Sequence, residues 1–246
     1  MLLKEKTVLV TGGSRGIGKA IVLHCARQGA IVGINYHRHE QEAQDTLAHI
    51  IKQGGTGLLL KGDVSQRQQV NDMIHLFTET HDHIDVLVHN AGIYQRATIG
   101  TLSSDQWRHT LSVNLDSCLY LVQAATPHIG KNGRIIFIAS QLAFKGTPHG
   151  ADYATSKAGM LGCMRSFALE LAPRDITVNA IAPGTIDTDL IAGYTEKQRR
   201  QRAQEIPLGR IGTPDDIAQV CVFLASELSG YITGETINVN GGLYIH

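Results

Sequence analysis

Seven short runs rich in valine, isoleucine and leucine recur along the chain, each separated from the next by a stretch of helical length. They are "TVLVTGG" (7–13), "AIVGINY" (30–36), "TGLLLKGDV" (56–64), "IDVLVHNAG" (84–92), "GRIIFIAS" (133–140), "ITVNAIAPG" (176–184) and "TINVNGG" (236–242). The runs are apolar throughout instead of alternating with polar residues, as strands are when both faces of a parallel sheet are covered. The pattern predicts an α/β chain: a single doubly wound domain over 1–246, with a seven-stranded, mostly parallel sheet and helices on both faces. Expected helices include 40–52, a long one over 104–127, one over 152–171, and one that Thr213 caps with Pro214 in the first helical position.

Composition narrows the function. Lysine plus arginine and aspartate plus glutamate each number 22, so the formal net charge is zero. Nothing in that balance calls for nucleic acid or an anionic membrane. The basic run Arg199, Arg200 and Arg202 lies among acids and glutamines and reads as a solvated helix face. The four cysteines are scattered with no CxxC pair, which predicts core packing and no disulfides. "THDHID" (80–85) reads as solvated turn residues, and no metal is expected. No apolar run reaches membrane-span length, and the N-terminus passes directly into an apolar strand, so a cytoplasmic chain is expected.

"TGGSRGIG" (11–18) stands where the first strand turns into the first helix. Glycines there permit a tight turn and close approach to a pyrophosphate, and the helix N-terminus offers N–H groups and positive dipole to phosphate. Gly12, Ser14, Arg15, Gly16, Ile17 and Gly18 are the expected contacts. A glycine-rich turn without a ligand is the plain alternative. The second strand ends in Asn35, Tyr36, His37 and Arg38, with no acid until Glu40. A carboxylate would repel a 2′-phosphate, whereas Arg15, within the glycine turn, or Arg38 can pair with it, so NADP is expected over NAD, with NAD possible; plain surface charge is the alternative for both arginines. Asp63, with Val64 beside it, could accept from the adenine amino group or simply close its turn. Asn90, Ala91 and Gly92 end the fourth strand, where small residues let the backbone approach the cofactor.

"DYATSK" (152–157) places Tyr153 and Lys157 four apart, on one face of a helix. A nearby ammonium favours phenolate, so the tyrosine pKa is expected to fall from about 10 toward working pH. Tyr153 then suits a general acid for a carbonyl oxygen or a base for an alcohol. Ser140, at the end of the fifth strand, could hydrogen-bond the same oxygen. Asn114 sits mid-helix, where asparagine is a poor helix former.

These motifs, in this order, resemble the classical short-chain dehydrogenase/reductase family, and the resemblance covers essentially the whole chain. It rests on Thr11-Gly12…Gly16-x-Gly18, Asn90-Ala91-Gly92, Asn114, Ser140, Tyr153-x3-Lys157 and Pro183-Gly184. The resemblance implies a Rossmann-like fold, with a cofactor half over about 1–140 and a catalytic and substrate-lid half over about 141–246. It implies that Tyr153 transfers the proton, Lys157 binds the nicotinamide ribose, Ser140 polarises the substrate oxygen and Asn114 holds a relay water. The Ile186 backbone and Thr188 hydroxyl, in the segment opened by Pro183 and Gly184, would hold the carboxamide. His89 is a departure, since many relatives carry a second asparagine there. A homotetramer paired through helices around 104–127 and 152–171 is also implied.

For the small-molecule substrate two readings compete. "PGTIDTD", "EKQRR" and "GGLYIH" are similar to sugar 1-dehydrogenases of the L-rhamnose 1-dehydrogenase type, and a polyhydroxylated sugar is the leading expectation. The Ser-Arg turn and "NY" are similar to 3-oxoacyl-(acyl-carrier-protein) reductases, which would add acyl carrier protein as a partner. A catalytically silent NADP-binding sensor is the third.

Overall fold

The computed structural model describes residues 1–245; His246, at the end of the Gly-Gly-Leu-Tyr-Ile-His segment, lies outside the described residues. Seven strands form one sheet: β1 (Thr7–Val10), β2 (Ile31–Tyr36), β3 (Thr56–Lys61), β4 (Val86–His89), β5 (Arg134–Ile138), β6 (Thr177–Pro183) and β7 (Thr236–Val239). Their order is β3-β2-β1-β4-β5-β6-β7, and every pairing is parallel, where a mostly parallel sheet was expected. The helices are α1 (Gly16–Arg27), α2 (Glu40–Lys52), α3 (Arg67–His81), α4 (Ser104–Leu111), α5 (Ser117–Ala125), α6 (Leu142–Lys145), α7 (Ala151–Leu171), α8 (Glu196–Glu205) and α9 (Pro214–Ala225).

The solid apolarity of the strands follows from this arrangement. Successive strand side chains point to opposite faces. Val86 and Val88 join one core cluster, with α1 and α9, while Leu87 joins the other, with α3, α5 and α7. Both faces are dry, so neither parity can be polar. Cys25, Cys118 and Cys221 are buried and Cys163 partly so, all as free thiols.

Boundaries differ from the sequence reading where side chains compete with the ladder. Asn90 leaves β4 because its amide donates to the Thr11 and Gly12 carbonyls at 2.9 and 3.1 Å. The expected helix over 104–127 is interrupted by a π turn at Ser112–Asp116 and ends in a 3-10 turn at Thr126–His128. Thr213 caps α9 as expected, in a reciprocal box with Asp216, and Pro214 occupies the first turn. The arginine run is not simply solvated. Arg199 pairs with Asp187 at 2.7 Å, and Arg202 donates to the Thr185 hydroxyl at 2.8 Å and pairs with Glu205. The contacts with Asp187 and Thr185 tie α8 back to the segment that follows β6; Arg200 alone of the three is exposed. Among the described residues, no helix is long and apolar enough to cross a membrane.

The sheet order reverses between β1 and β4. Chain leaving their carboxyl ends diverges to opposite sides, and a crevice opens there by construction.

Candidate active site

A cleft of about 1000 Å³ occupies that crevice. Every residue expected from the sequence on the cofactor side, from Gly12 to Thr188, borders it. Of the expected catalytic four, Ser140, Tyr153 and Lys157 border it, and Asn114 stands behind the wall, fully buried.

The glycine turn is shaped for a ligand that needs backbone contact. Gly12 has φ +63°, and a Cβ on Gly18 would lie 2.1 Å from the Gly12 carbonyl oxygen. Only glycine at both places lets the turn close onto the start of α1. No side chain caps the first turn of α1, so its unpaired N–H groups and positive dipole end are left for an anion. The turn is braced from beneath. The Thr11 hydroxyl accepts from the Asn90 and Ala91 N–H groups at 3.0 and 3.1 Å. The Gly12 N–H donates to Asn35 Oδ1 at 3.1 Å, and the Asn35 amide donates to the Leu60 and Gly62 carbonyls, both at 3.0 Å. Asn35 is therefore a buried strut whose amide is spent on the protein, and it shapes the cradle from behind.

At the adenosine end, Asp63 Oδ1 accepts from the Ser65 N–H and hydroxyl, and its other oxygen stands 3.8 Å from His37 Nδ1. Arg15 crosses the rim to Asp189 at 2.9 Å. Arg38 is exposed on the cleft and carries no ion pair among the described residues. A glycine cradle, an uncapped helix start and an unpaired arginine on the cleft just beyond β2 suit a phosphorylated dinucleotide.

At the other end, α7 presents Tyr153 and Lys157. Its start is fixed by Asp152, a buried carboxylate that accepts from the Thr110 hydroxyl at 2.7 Å and the Gln106 amide at 3.3 Å. Burial pushes the Tyr153 phenol up to about 12; the Ser140 hydroxyl against it opposes that rise and Tyr94 adds to it. The expected lowering by Lys157 is absent here. Lys157 Nζ donates to the Ile138 carbonyl at 2.7 Å and stands 5.9 Å from the centre of the Tyr153 ring, so burial outweighs it. Burial also draws the Lys157 ammonium down to about 8, with Cys118 opposing.

Asn114 lies in the π turn. Its Oδ1 accepts from the Ile93 N–H at 2.8 Å, and its amide donates to the Ile93 carbonyl and the Ser156 hydroxyl at 2.9 and 3.0 Å. It thus pins the chain after Gly92 to α7. A Cβ on Gly92 would stand 3.2 Å from Asn114 Oδ1 and 3.5 Å from Lys157 Nζ, so the backbone at Gly92 runs directly beside both. His89 is fully buried, and its Nε2 lies 2.7 Å from the Ser117 hydroxyl. That hydroxyl gives its single proton to the Val113 carbonyl at 2.6 Å, so His89 donates and carries its proton on Nε2. Burial and Lys157 hold the imidazole at about 3, so it is neutral.

Sequence reasoning missed three residues of the substrate end. Tyr94 stacks on Tyr153 with ring centres 4.5 Å apart. Arg96 donates to the Tyr194 hydroxyl at 2.6 Å across the cleft mouth. Neither periodicity nor motif marks them, because a loop meets a lid 98 residues later only in the folded chain.

Residues 12–244 match a family model described as enoyl-(acyl carrier protein) reductase. The chain is 40% identical over 243 residues to a 3-oxoacyl-(acyl-carrier-protein) reductase of Chlamydia pneumoniae, covering 98% of each. It is similar to the solved structure of a short chain dehydrogenase from Burkholderia cenocepacia in complex with NADP, with TM-score 0.94 and 33% identity over 99% of both chains. It is equally similar to a blue fluorescent protein from a metagenomic library in complex with NADPH, with TM-score 0.95 and 33% identity over 100% of both.

Proposed function

The chain belongs to the short-chain dehydrogenase/reductase family, and from that premise we propose that it is an NADP-dependent ketoreductase acting on 3-oxoacyl thioesters. The reaction class is carried by one observation: Ser140, Tyr153 and Lys157 converge on the cleft whose other end is the glycine cradle. The substrate class is supported by the similarity to 3-oxoacyl-(acyl-carrier-protein) reductases, which favours the ketone over the leading expectation of a sugar. The sugar reading keeps one point in its favour, the polar substrate end with Gln95, Gln141, Thr147, Gln198 and Gln201.

Bound NADPH would supply the hydride. Gly12, Ser14, Arg15, Gly16, Ile17 and Gly18 would hold its pyrophosphate at the start of α1, and Arg38 would meet the 2′-phosphate. Ile186 and Thr188 would hold the carboxamide. Ser140 and Tyr153 donate hydrogen bonds to the carbonyl oxygen, which pulls electron density from the carbonyl carbon. As that oxygen gains charge, Tyr153 gives it the phenol proton. The phenolate left behind is stabilised by the Lys157 ammonium. Asn114, expected to hold a relay water, instead has its amide bonded to Ile93 and Ser156 behind the cleft wall, and positions the chain beside Lys157. His89, locked neutral, leaves that ammonium without a competing charge.

Tyr153→Phe tests the reading. Turnover is expected to fall by about 10²–10⁴-fold while NADPH still binds. Full activity in the variant would exclude Tyr153 as the acid; a wild type that binds NADPH and turns over no substrate would be the silent sensor. Acetoacetyl thioester with NADPH, set against aldoses with NADP, separates the two substrates by nicotinamide absorbance. Robust aldose oxidation with no thioester reduction would replace the ketone by the sugar. The same reading makes the protein a cytoplasmic homotetramer and, as a reductase of carrier-bound thioesters, a partner of acyl carrier protein.

A further inference from the structure

Five cationic side chains border the cleft: Arg15, Arg38, Arg96, Lys157 and Arg202. Arg15 is paired with Asp189 and Arg202 with Glu205, and Lys157 donates to the Ile138 carbonyl beside Tyr153. Arg38 and Arg96 have no carboxylate partner among the described residues. Arg38 lies at the adenosine end, where the cofactor brings a phosphate. Arg96 lies at the opposite end, and no part of the cofactor reading accounts for it.

Arg96 is held in place by a neutral group. Its guanidinium donates to the Tyr194 hydroxyl at 2.6 Å and lies over the Tyr194 ring, 5.4 Å from its centre. Residues on either side of Arg96 are anchored to one carbonyl. The Tyr94 hydroxyl donates to the His149 oxygen at 3.4 Å, and the Ala97 N–H donates to the same oxygen at 3.1 Å. The charge is therefore positioned but not cancelled. Because the Tyr194 oxygen accepts from Arg96, its own proton is free to be donated, and no acceptor for it stands among the described residues. An arginine fork beside a phenol O–H matches a carboxylate or a phosphate.

We propose that Arg96 and Tyr194 form an anion subsite at the substrate end, which holds a carboxylate or phosphate that the carbonyl substrate carries away from its reacting carbon. The proposal rests on the ketoreductase reading. Arg96 stands two residues beyond the ring stacked on Tyr153, and Tyr194 belongs to the segment 188–212 between β6 and α9, where the family resemblance places the substrate lid. A bound anion would join the two and fix the substrate relative to the phenol.

Two matched pairs of ketones test it, with NADPH consumption as the readout. One pair is acetoacetyl-4′-phosphopantetheine and acetoacetyl-pantetheine; the other is the monoethyl and diethyl esters of 3-oxoadipate. The charged member of at least one pair is expected to have the higher kcat/KM by about tenfold, mostly through KM. The pair that responds identifies the anion as phosphate or carboxylate. Arg96→Met should bring that ratio to unity, and Arg96→Lys should restore part of it. Ratios of unity in the wild type, with good turnover, overturn the subsite alone. So does a ratio that survives in Arg96→Met while both members slow equally, since Arg96 would then only clasp the lid. If the wild type reduces none of the four compounds but oxidises aldoses, the ketoreductase reading falls and the subsite with it.

Discussion

Lys157 shows how far a residue's chemistry is set by what surrounds it. Four residues of helix put it on the face of Tyr153, which spacing alone predicts. Its protonation is another matter, since burial draws the ammonium from the ordinary lysine range down to about 8. Below that value Lys157 is charged and can stabilise the phenolate; above it the charge is lost. The rate of carbonyl reduction is therefore expected to hold below pH 8 and decline above it, as measured by a pH–kcat profile. Lys157→Arg, whose guanidinium stays charged, should carry the decline to higher pH whatever fraction of activity survives. The groups facing Lys157 add no competing titration in this window. His89 is held neutral, and the Cys118 thiol is pushed up by burial. The spacing of Tyr153 and Lys157 was legible in the sequence, but the phenol's rise to about 12 was not, because it depends on walls contributed by distant segments.

At the scale of elements, the informative departures are places where one side chain overrides regular geometry. A continuous helix over 104–127 is what apolar spacing predicts, yet the chain makes a π turn at Ser112–Asp116. Asn114 gains three hydrogen bonds there, to Ile93 and Ser156, that a regular turn would not need to aim. The asparagine hinted at the site, but its partners lie 21 and 42 residues away. "THDHID" contains a second such device. Asp85, at the entry to β4, accepts from the Thr7 N–H at 2.8 Å and pairs with Lys6 at 3.0 Å, stapling β4 to β1. Burial alone would raise its pKa; the Thr7 N–H and Lys6 outweigh it and hold the carboxyl below the usual range. A folded pKa below the unfolded value means that the staple's stabilisation is present above the unfolded pKa and lost as pH falls through the folded one. Asp85→Ala is expected to cost about 1–3 kcal/mol at pH 7 by urea denaturation, since the buried Thr7 donors lose their acceptor. The gap between variant and wild type should narrow as the solution is acidified.

On the scale of the whole molecule, the reversal of strand order at β1 and β4 decides where everything functional sits. It brings the glycine turn, the Asn-Ala-Gly segment, Ser140 and the start of α7 to one edge of the sheet. The same architecture leaves Leu119 on α5 and Leu169 on α7 at the surface, 40% and 80% exposed. Under the tetramer reading these helices pair subunits, so light scattering should give four chain masses, and Leu169→Glu should lower that number without unfolding the chain. A monomeric wild type would exclude it. The sequence by itself determined the α/β class, the strand count, the glycine cradle and the Tyr153–Lys157 spacing, because these depend on periodicity and on contacts within a few residues. Only the tertiary structure decided that Asn35 is a strut, that Arg15 reaches Asp189 and that Arg96 meets Tyr194. Those contacts join segments 23, 174 and 98 residues apart, and no local pattern records which distant side chain will fill the space opposite.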